Sequence, residues 1–169
     1  MWRFTKPLST PVRVLFASET HFTASVEAVR AALPDADITT SMDTLSSAHV
    51  LVPLMGKVND ELLNRAPELR LVIQYGVGIE GVDTAACARH GVCVSNIPSQ
   101  QSGNATATAE HAIFLILSVL RYGPRQLDAH FQNRVLGGTL IRQLRAKTVL
   151  VVGYGSLGQE LAAMLEALG

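Results

Sequence analysis

An α/β fold built on a parallel sheet is what this sequence predicts, and three observations predict it. Short apolar, β-branched runs alternate with helix-period segments from Val12 to Ser95. No hairpin signal joins one run to the next. Near the end, a glycine turn stands between an unbroken apolar run and an amphipathic segment. Strict alternation of this kind means βαβ units and a parallel sheet covered on both faces. Right-handed crossovers then give a doubly wound, flavodoxin-like layer, expected over residues 1–100.

Each element has a local reason. Residues 1–11 read as an irregular lead-in, with Pro7 and Pro11. Val12–Ala17 is a strand pattern. Thr20–Leu33 is an amphipathic helix, with Phe22, Val26, Val29 and Leu33 at helical spacing, ended by Pro34-Asp35. Asp37–Thr40 is a second strand. Val50–Pro53 is a third, after a helical turn around Leu45. Asn59–Arg65 is a helix closed by Pro67. Leu69–Gln74 is the fourth strand and runs into Tyr75-Gly76-Val77-Gly78. Asp83 caps a short helix, Thr84–His90, and Gly91 stops it before a fifth strand, Val92–Ser95. Ser99–Thr106 is polar and small, the best linker. A helix from about Ala105 to Tyr122 is apolar on nearly all sides and so expected to be buried. Arg125–Ala146 reads as a short helix, a loop at Gly137-Gly138 and an approach to the last motif.

That motif is Lys147–Gly169. The run Val149–Val152 predicts a strand, Gly153-Tyr154-Gly155-Ser156-Leu157-Gly158 a turn, and Leu161, Met164, Leu165 and Leu168 one face of a helix. Strand, glycine turn and helix in that order are the context of a dinucleotide fingerprint. The first glycine permits the tight turn, the second lets backbone approach a pyrophosphate, and the third lets helix and strand close up. The helix start adds unpaired N–H groups and a positive dipole end. Residues 101–169 are therefore read as the start of a Rossmann NAD-binding domain. A tight strand–helix turn in another α/β domain is the alternative. The acidic residue that would hold the adenosine ribose falls about 20 residues past the glycines, beyond Gly169.

Composition narrows the function. The chain of 169 residues carries 14 basic and 14 acidic side chains, so no electrostatic footprint points to nucleic acid or an anionic membrane. The apolar stretch Ala112–Leu120 is too short to span a bilayer. Cys87 and Cys93 suit a reducing compartment and form no metal or disulfide pattern. The histidines make no HxxxH or HExxH pair, so no metal is expected. Arg3, Lys6 and Arg13 precede the first acid, Glu19. That is faintly like an organelle leader, and the cytoplasm is the expected compartment.

Several strings together resemble one family. Leu69–Asp83, then Val94-Ser-Asn-Ile-Pro98, then Thr108-Ala-Glu-His111 before a long helix ending in Arg121, then the glycine turn, are similar to the D-isomer-specific 2-hydroxyacid dehydrogenases. The resemblance covers roughly residues 45–169; residues 1–44 match only as a βαβ-like lead-in. It implies two doubly wound domains with the active site between them, NAD or NADP as cofactor, and a small 2-hydroxy or 2-keto acid as substrate. It places Gly76, Val77 and Gly78 in a loop whose amides hold the substrate carboxylate, with a plain strand-to-helix turn as the alternative. Asn104 falls near substrate and nicotinamide, or is a helix N-cap. Thr108 falls in the nicotinamide pocket, or is a helix residue packed on the sheet. Glu110 and His111 match the motif, in structural roles. Gly153, Tyr154, Gly155, Ser156, Leu157 and Gly158 fall in the pyrophosphate turn.

The family's catalytic arginine, acidic residue and histidine have no counterpart by motif, so no catalytic residue is assigned. The chain thus reads as truncated after its glycine turn, with weak cofactor binding and no turnover expected of it in isolation. A non-catalytic regulatory or dimerisation module, pairing with itself or a full-length homologue, is the competing reading, and a truncated gene product the third. Residues 100–169 are expected to be the less stable part.

Overall fold

The computed structural model describes residues 11–17, 23–54, 56–99, 102–121, 132 and 142–169. The chain forms two compact units, Met1–Pro98 and Ser99–Gly169. The expected lead-in up to Thr10, the start of the first helix with Phe22, and most of the expected Arg125–Ala146 segment lie outside the described residues.

The first unit is a five-stranded parallel sheet of order β2-β1-β3-β4-β5. Its strands are β1 (Arg13–Phe16), β2 (Asp37–Thr39), β3 (Val50–Val52), β4 (Leu71–Gln74) and β5 (Cys93–Asn96). This is the flavodoxin-like order, in which the chain reverses direction of growth between β1 and β3. The register is set by apolar alternation. Leu15 faces Leu51 across the β1–β3 pair and Leu51 faces Val72 across β3–β4. These side chains are completely buried, on one face with Leu45, Leu63, Ala86 and Cys87. Val14, Phe16 and Val52 point to the opposite face, against Val26 and Ile38. A one-residue slip would exchange the two faces.

The helices cover the sheet as their patterns demand. Helix α1 (Thr23–Ala32) buries Val26 on the second face, whereas Leu33 lies beyond its end, half-exposed. A 3₁₀ turn, Met42–Ser47, buries Leu45. Helices α2 (Asp60–Asn64) and α3 (Thr84–Arg89) bury Leu63, and Ala86 with Cys87. Asn59 caps α2 by accepting from the Leu62 N–H at 3.1 Å. Asp83 caps α3 by accepting from the Ala86 N–H at 2.8 Å. Asp60 at the start of α2 meets Arg89 at 2.6 Å and His90 at 3.1 Å. The Arg89 hydrogen bond, with His90, holds the exposed Asp60 carboxyl below the usual carboxylate range. His49 enters β3 fully buried. Its Nδ1 lies 3.1 Å from the Arg13 N–H and its Nε2 2.8 Å from Arg13 Nη2.

The second unit holds α4 (Asn104–Leu120) and α5 (Ser156–Ala167), packed on each other. Two expectations are corrected here. Val149–Val152 is not a strand: no described residue pairs with it, and Leu150 and Val152 are 84% and 90% exposed. A parallel strand exists only through ladder bonds to a neighbour, so apolar content alone cannot make one. Helix α4 is not buried either. Only Ala105 and Ala109 are fully covered, while Phe114, Leu115 and Val119 are exposed. Within its unit, α5 covers α4 on one side, and no described element covers Phe114 and Val119.

Two outcomes follow for stability. Leu51→Ala should lower the unfolding free energy by about 2–5 kcal/mol, and Leu150→Ala by less than about 0.5 kcal/mol, both read by chemical denaturation. Burial, then the Arg13 charge, hold the His49 imidazole below its ordinary value. The folded state keeps His49 neutral where the unfolded chain would protonate it, so its contribution is complete above the ordinary value and lost as the pH falls toward the folded one. The denaturation midpoint should therefore drop between neutral and mildly acidic pH, and drop less in His49→Asn. Equal slopes for the two proteins would refute the assignment.

Candidate functional site

In a parallel sheet, loops leaving the carboxyl ends of the strands share one edge, and that edge binds ligands. Among the described residues of the first unit, such loops follow β2, β3, β4 and β5. The β4 loop carries Gly76, Val77 and Gly78. The Gly76 N–H turns back to the Gln74 carbonyl at 2.9 Å, and the Gly76 carbonyl accepts from the Ile97 N–H at 3.0 Å. Asn96, at the end of β5, donates from Nδ2 to the Val77 carbonyl at 2.6 Å. The Gly76 and Val77 carbonyls are thus occupied. The N–H groups of Val77 and Gly78 have no partner among the described residues, and both residues are exposed. A Cβ at Gly76 would meet open space; one at Gly78 would collide with the Glu80 carboxylate, which folds back over the loop.

Two histidines of this unit lie at the other end of the sheet. His49 precedes β3 and His90 precedes β5, and residues that precede parallel strands share the amino edge. Neither is on the edge of the glycine loop. Cys87 is also spoken for: it is buried under α3, and burial followed by the Asp83 charge pushes its thiol up, away from the reactive thiolate.

The second unit carries the glycine turn. Gly153 has φ +91°, a conformation only glycine adopts without strain. A Cβ on Gly158 would lie 2.3 Å from the Gly153 carbonyl oxygen and 3.4 Å from Val151, so the helix approaches the preceding segment as closely as its backbone allows. A Cβ on Gly155 would meet nothing within 4 Å. Gly155 is the N-cap residue of α5 and offers no side chain to the helix. The first-turn N–H groups of Ser156, Leu157 and Gly158 are therefore uncapped, with the positive end of the helix dipole behind them. Ser156 Oγ is 2.9 Å from Ser99 Oγ, a contact that the motif alone did not reveal. Tyr154 is 68% exposed and its carbonyl accepts from Gln159 Nε2 at 3.3 Å.

Asn104 is the first residue of α4, exposed; the N-cap place belongs to Gly103, in the left-handed region at φ 68°. Thr108 donates from Oγ1 to the Asn104 carbonyl at 2.7 Å and is half-buried. His111 stacks on Phe114, with ring centroids 5.8 Å apart. A cavity of 310 Å³ opens behind α5, lined by Lys147, Val149, Val151, Leu165 and Glu166 among others. No residue of the glycine turn lines it; it lies where Val149 and Val151 face Ala162 and Leu165 of α5, on the side opposite the exposed Leu150 and Val152. Among the described residues no cluster of His, Cys, Asp or Glu could hold a metal ion. No described helix is long and apolar enough to cross a membrane.

The chain is 34% identical over 122 residues to D-3-phosphoglycerate dehydrogenase of Bacillus subtilis, covering 71% of this chain and 22% of that one. It is 36% identical over 143 residues to D-3-phosphoglycerate dehydrogenase of Mycobacterium leprae, covering 82% of this chain and 24% of that one. It therefore spans about a quarter of the length of these relatives. Among solved structures, the NADPH-dependent glyoxylate/hydroxypyruvate reductase of Sinorhizobium meliloti, in complex with NADP and malonate, superposes with TM-score 0.69 at 26% identity, covering 94% of this chain and 51% of that one. D-lactate dehydrogenase of Aquifex aeolicus, complexed with NAD and lactic acid, superposes with TM-score 0.77 at 24% identity, covering 93% and 49%, which shows the shared fold. The family model described as the D-isomer specific 2-hydroxyacid dehydrogenase catalytic domain matches residues 5–167, nearly the whole chain, and the chain belongs to that family.

Proposed function

We propose that this chain supplies binding elements of an NAD- or NADP-dependent oxidoreductase acting on a small 2-hydroxy or 2-keto acid. The observation that carries the reading is the uncapped start of α5, open at Gly155 and closed at Gly158. Uncapped N–H groups at a helix N-terminus, approached over a residue without Cβ, fit a pyrophosphate. The nicotinamide group, when bound, supplies the hydride acceptor or donor.

The chain's own residues bind and orient. Ser156, Leu157 and Gly158 offer N–H groups to phosphate oxygens, with Gly153 and Tyr154 shaping the turn. The unpaired N–H groups of Val77 and Gly78, with Gly76 keeping the approach clear, offer a carboxylate two donors at the carboxyl edge of the sheet. Asn104 and Thr108 belong to the nicotinamide side in this reading. Residues 1–100 form the substrate-binding domain and residues 101–169 part of the cofactor domain. We assign the chain no acid–base residue: His49 and His90 lie at the amino edge, and His111 is held against Phe114. Its two free cysteines fit a reducing compartment, and we place it in the cytoplasm.

A second reading is favoured by one observation, the exposed apolar residues Leu150 and Val152 with Phe114 and Val119 of α4. An apolar surface of this kind promotes association. In that reading the second unit pairs with another copy or with a longer homologue, and the chain regulates or assembles without catalysing.

The test is cofactor binding by calorimetry, with NADH and NADPH. Weak binding is expected, lost in Gly155→Val without a change in melting temperature. Gly158→Ala should lower both, because its Cβ meets backbone. Binding unaffected by Gly155→Val would sink the pyrophosphate assignment. No oxidation of NADH with glyoxylate or hydroxypyruvate is expected of the isolated chain. Turnover above a buffer blank would show that an acid–base group is present after all.

A further inference from the structure

At the carboxyl edge of the sheet, one side chain does something the glycine loop does not explain. Gln74, the last residue of β4, is 9% exposed. Its Nε2 donates to the carbonyl of Leu54, twenty residues away in sequence, at 2.6 Å. That acceptor fixes which way the amide faces, since the flipped amide would set oxygen against oxygen. Its Oε1 is consequently buried with no hydrogen-bond partner among the described residues. Leu54 itself has φ 58°, a left-handed conformation that is uncommon for a residue with a branched side chain.

These facts belong together. Leu54 lies in a turn closed by the Gly56 N–H donating to the Pro53 carbonyl at 2.8 Å. Further along, Val58 and Gly81 share a backbone hydrogen bond of 2.9 Å, as do Asp83 and Val58. The loop after β3 is thus stitched to the loop after β4 at both ends. Gln74 makes the stitch nearest the sheet, and Val58 the one farther out. A site asking only for burial would take methionine or leucine, which leave no oxygen unpaired. An amide kept here with half its capacity unused points to a demand on the other half.

We propose that Gln74 is a positioning residue. It pins Leu54 in its left-handed turn, and so sets the shape of the ligand-bearing edge beside Gly76, Val77 and Gly78. For its consequence on ligands this rests on the reading of that loop as a carboxylate site; for its consequence on the turn it does not.

The experiment is amide hydrogen exchange of residues 54–58, as protection factors, with residues 60–66 as internal reference. In Gln74→Met the protection of 54–58 should fall by about tenfold, with the reference and the melting temperature little changed. Leu54→Asn, added to that variant, should restore part of it, because asparagine tolerates the left-handed conformation. Protection of 54–58 equal to the wild type in Gln74→Met would overturn the proposal. Should Gln74→Met fail to fold, Gln74→Glu decides. Its protonated carboxyl can donate to Leu54 and its carboxylate cannot, so protection should fall as the pH rises through the carboxyl's titration. A pH-independent turn in that variant would also overturn the proposal. Malonate, titrated against the amide signals of Gly76 and Gly78, gives the ligand arm, with several-fold weaker binding expected in Gln74→Met. Absence of any malonate shift in the wild type would refute the carboxylate loop, and the exchange result would still decide the role of Gln74.

Discussion

A buried parallel strand must bond its backbone to a neighbour on each side, and most of what this chain builds depends on that requirement. In the first unit it is met. β1, β3 and β4 each lie between two partners, and Leu15, Leu51 and Val72 stack in a line that no water reaches. Unpaired backbone groups in such a place would each lose the equivalent of a hydrogen bond. The ladder therefore fixes the register, the register fixes which residues are inside, and the helices follow. Val149–Val152 shows the same rule from the other side: it is as apolar as the interior strands, yet without a partner it stays outside any sheet.

The ladder also creates the candidate site. Because all strands run one way, their carboxyl ends collect on one edge, and loops too distant in sequence to interact otherwise are brought abreast. Asn96 can reach the Val77 carbonyl, and Gln74 the Leu54 carbonyl, only because β3, β4 and β5 are neighbours. The Asn96 side chain and the Ile97 N–H occupy the Val77 and Gly76 carbonyls, and the N–H groups of Val77 and Gly78 have no partner among the described residues. The result is a pair of unpaired donors beside which the Glu80 carboxylate folds back. At the amino edge the polar groups are matched with each other instead: Asp60 with Arg89 and His90, and His49 with Arg13.

The second unit achieves its local geometry by close approach and not by pairing. Gly158 sits against the Gly153 carbonyl, and any larger residue would push the start of α5 away from the segment before it. That contact leaves Gly155 facing open space with the helix N-terminus uncapped. The Ser99–Ser156 contact ties the residue following Pro98 to the same turn. It is a link between sequence-distant hydroxyls, invisible to any motif.

The sequence by itself determined the elements of the first unit nearly residue by residue. The period of its apolar residues, the cap at Asp83 and the stops at Pro67 and Gly91 are local signals that tertiary packing did not override. It also determined the glycine turn, because positive φ and lack of space are demands that only glycine meets. Tertiary structure alone decided the rest. Whether Val149–Val152 became a strand depended on a partner, which an apolar run cannot encode. Whether α4 was buried depended on what covers it; its composition made it fit for an interior, and Phe114 and Val119 are nonetheless exposed. The N-cap of α4 went to Gly103 and not to Asn104, a choice made by backbone conformation at the turn. Gln74 read from sequence as merely the end of a strand. Its grip on Leu54 exists because β3 and β4 lie side by side, and adjacency in a sheet is the one thing that strand patterns leave open.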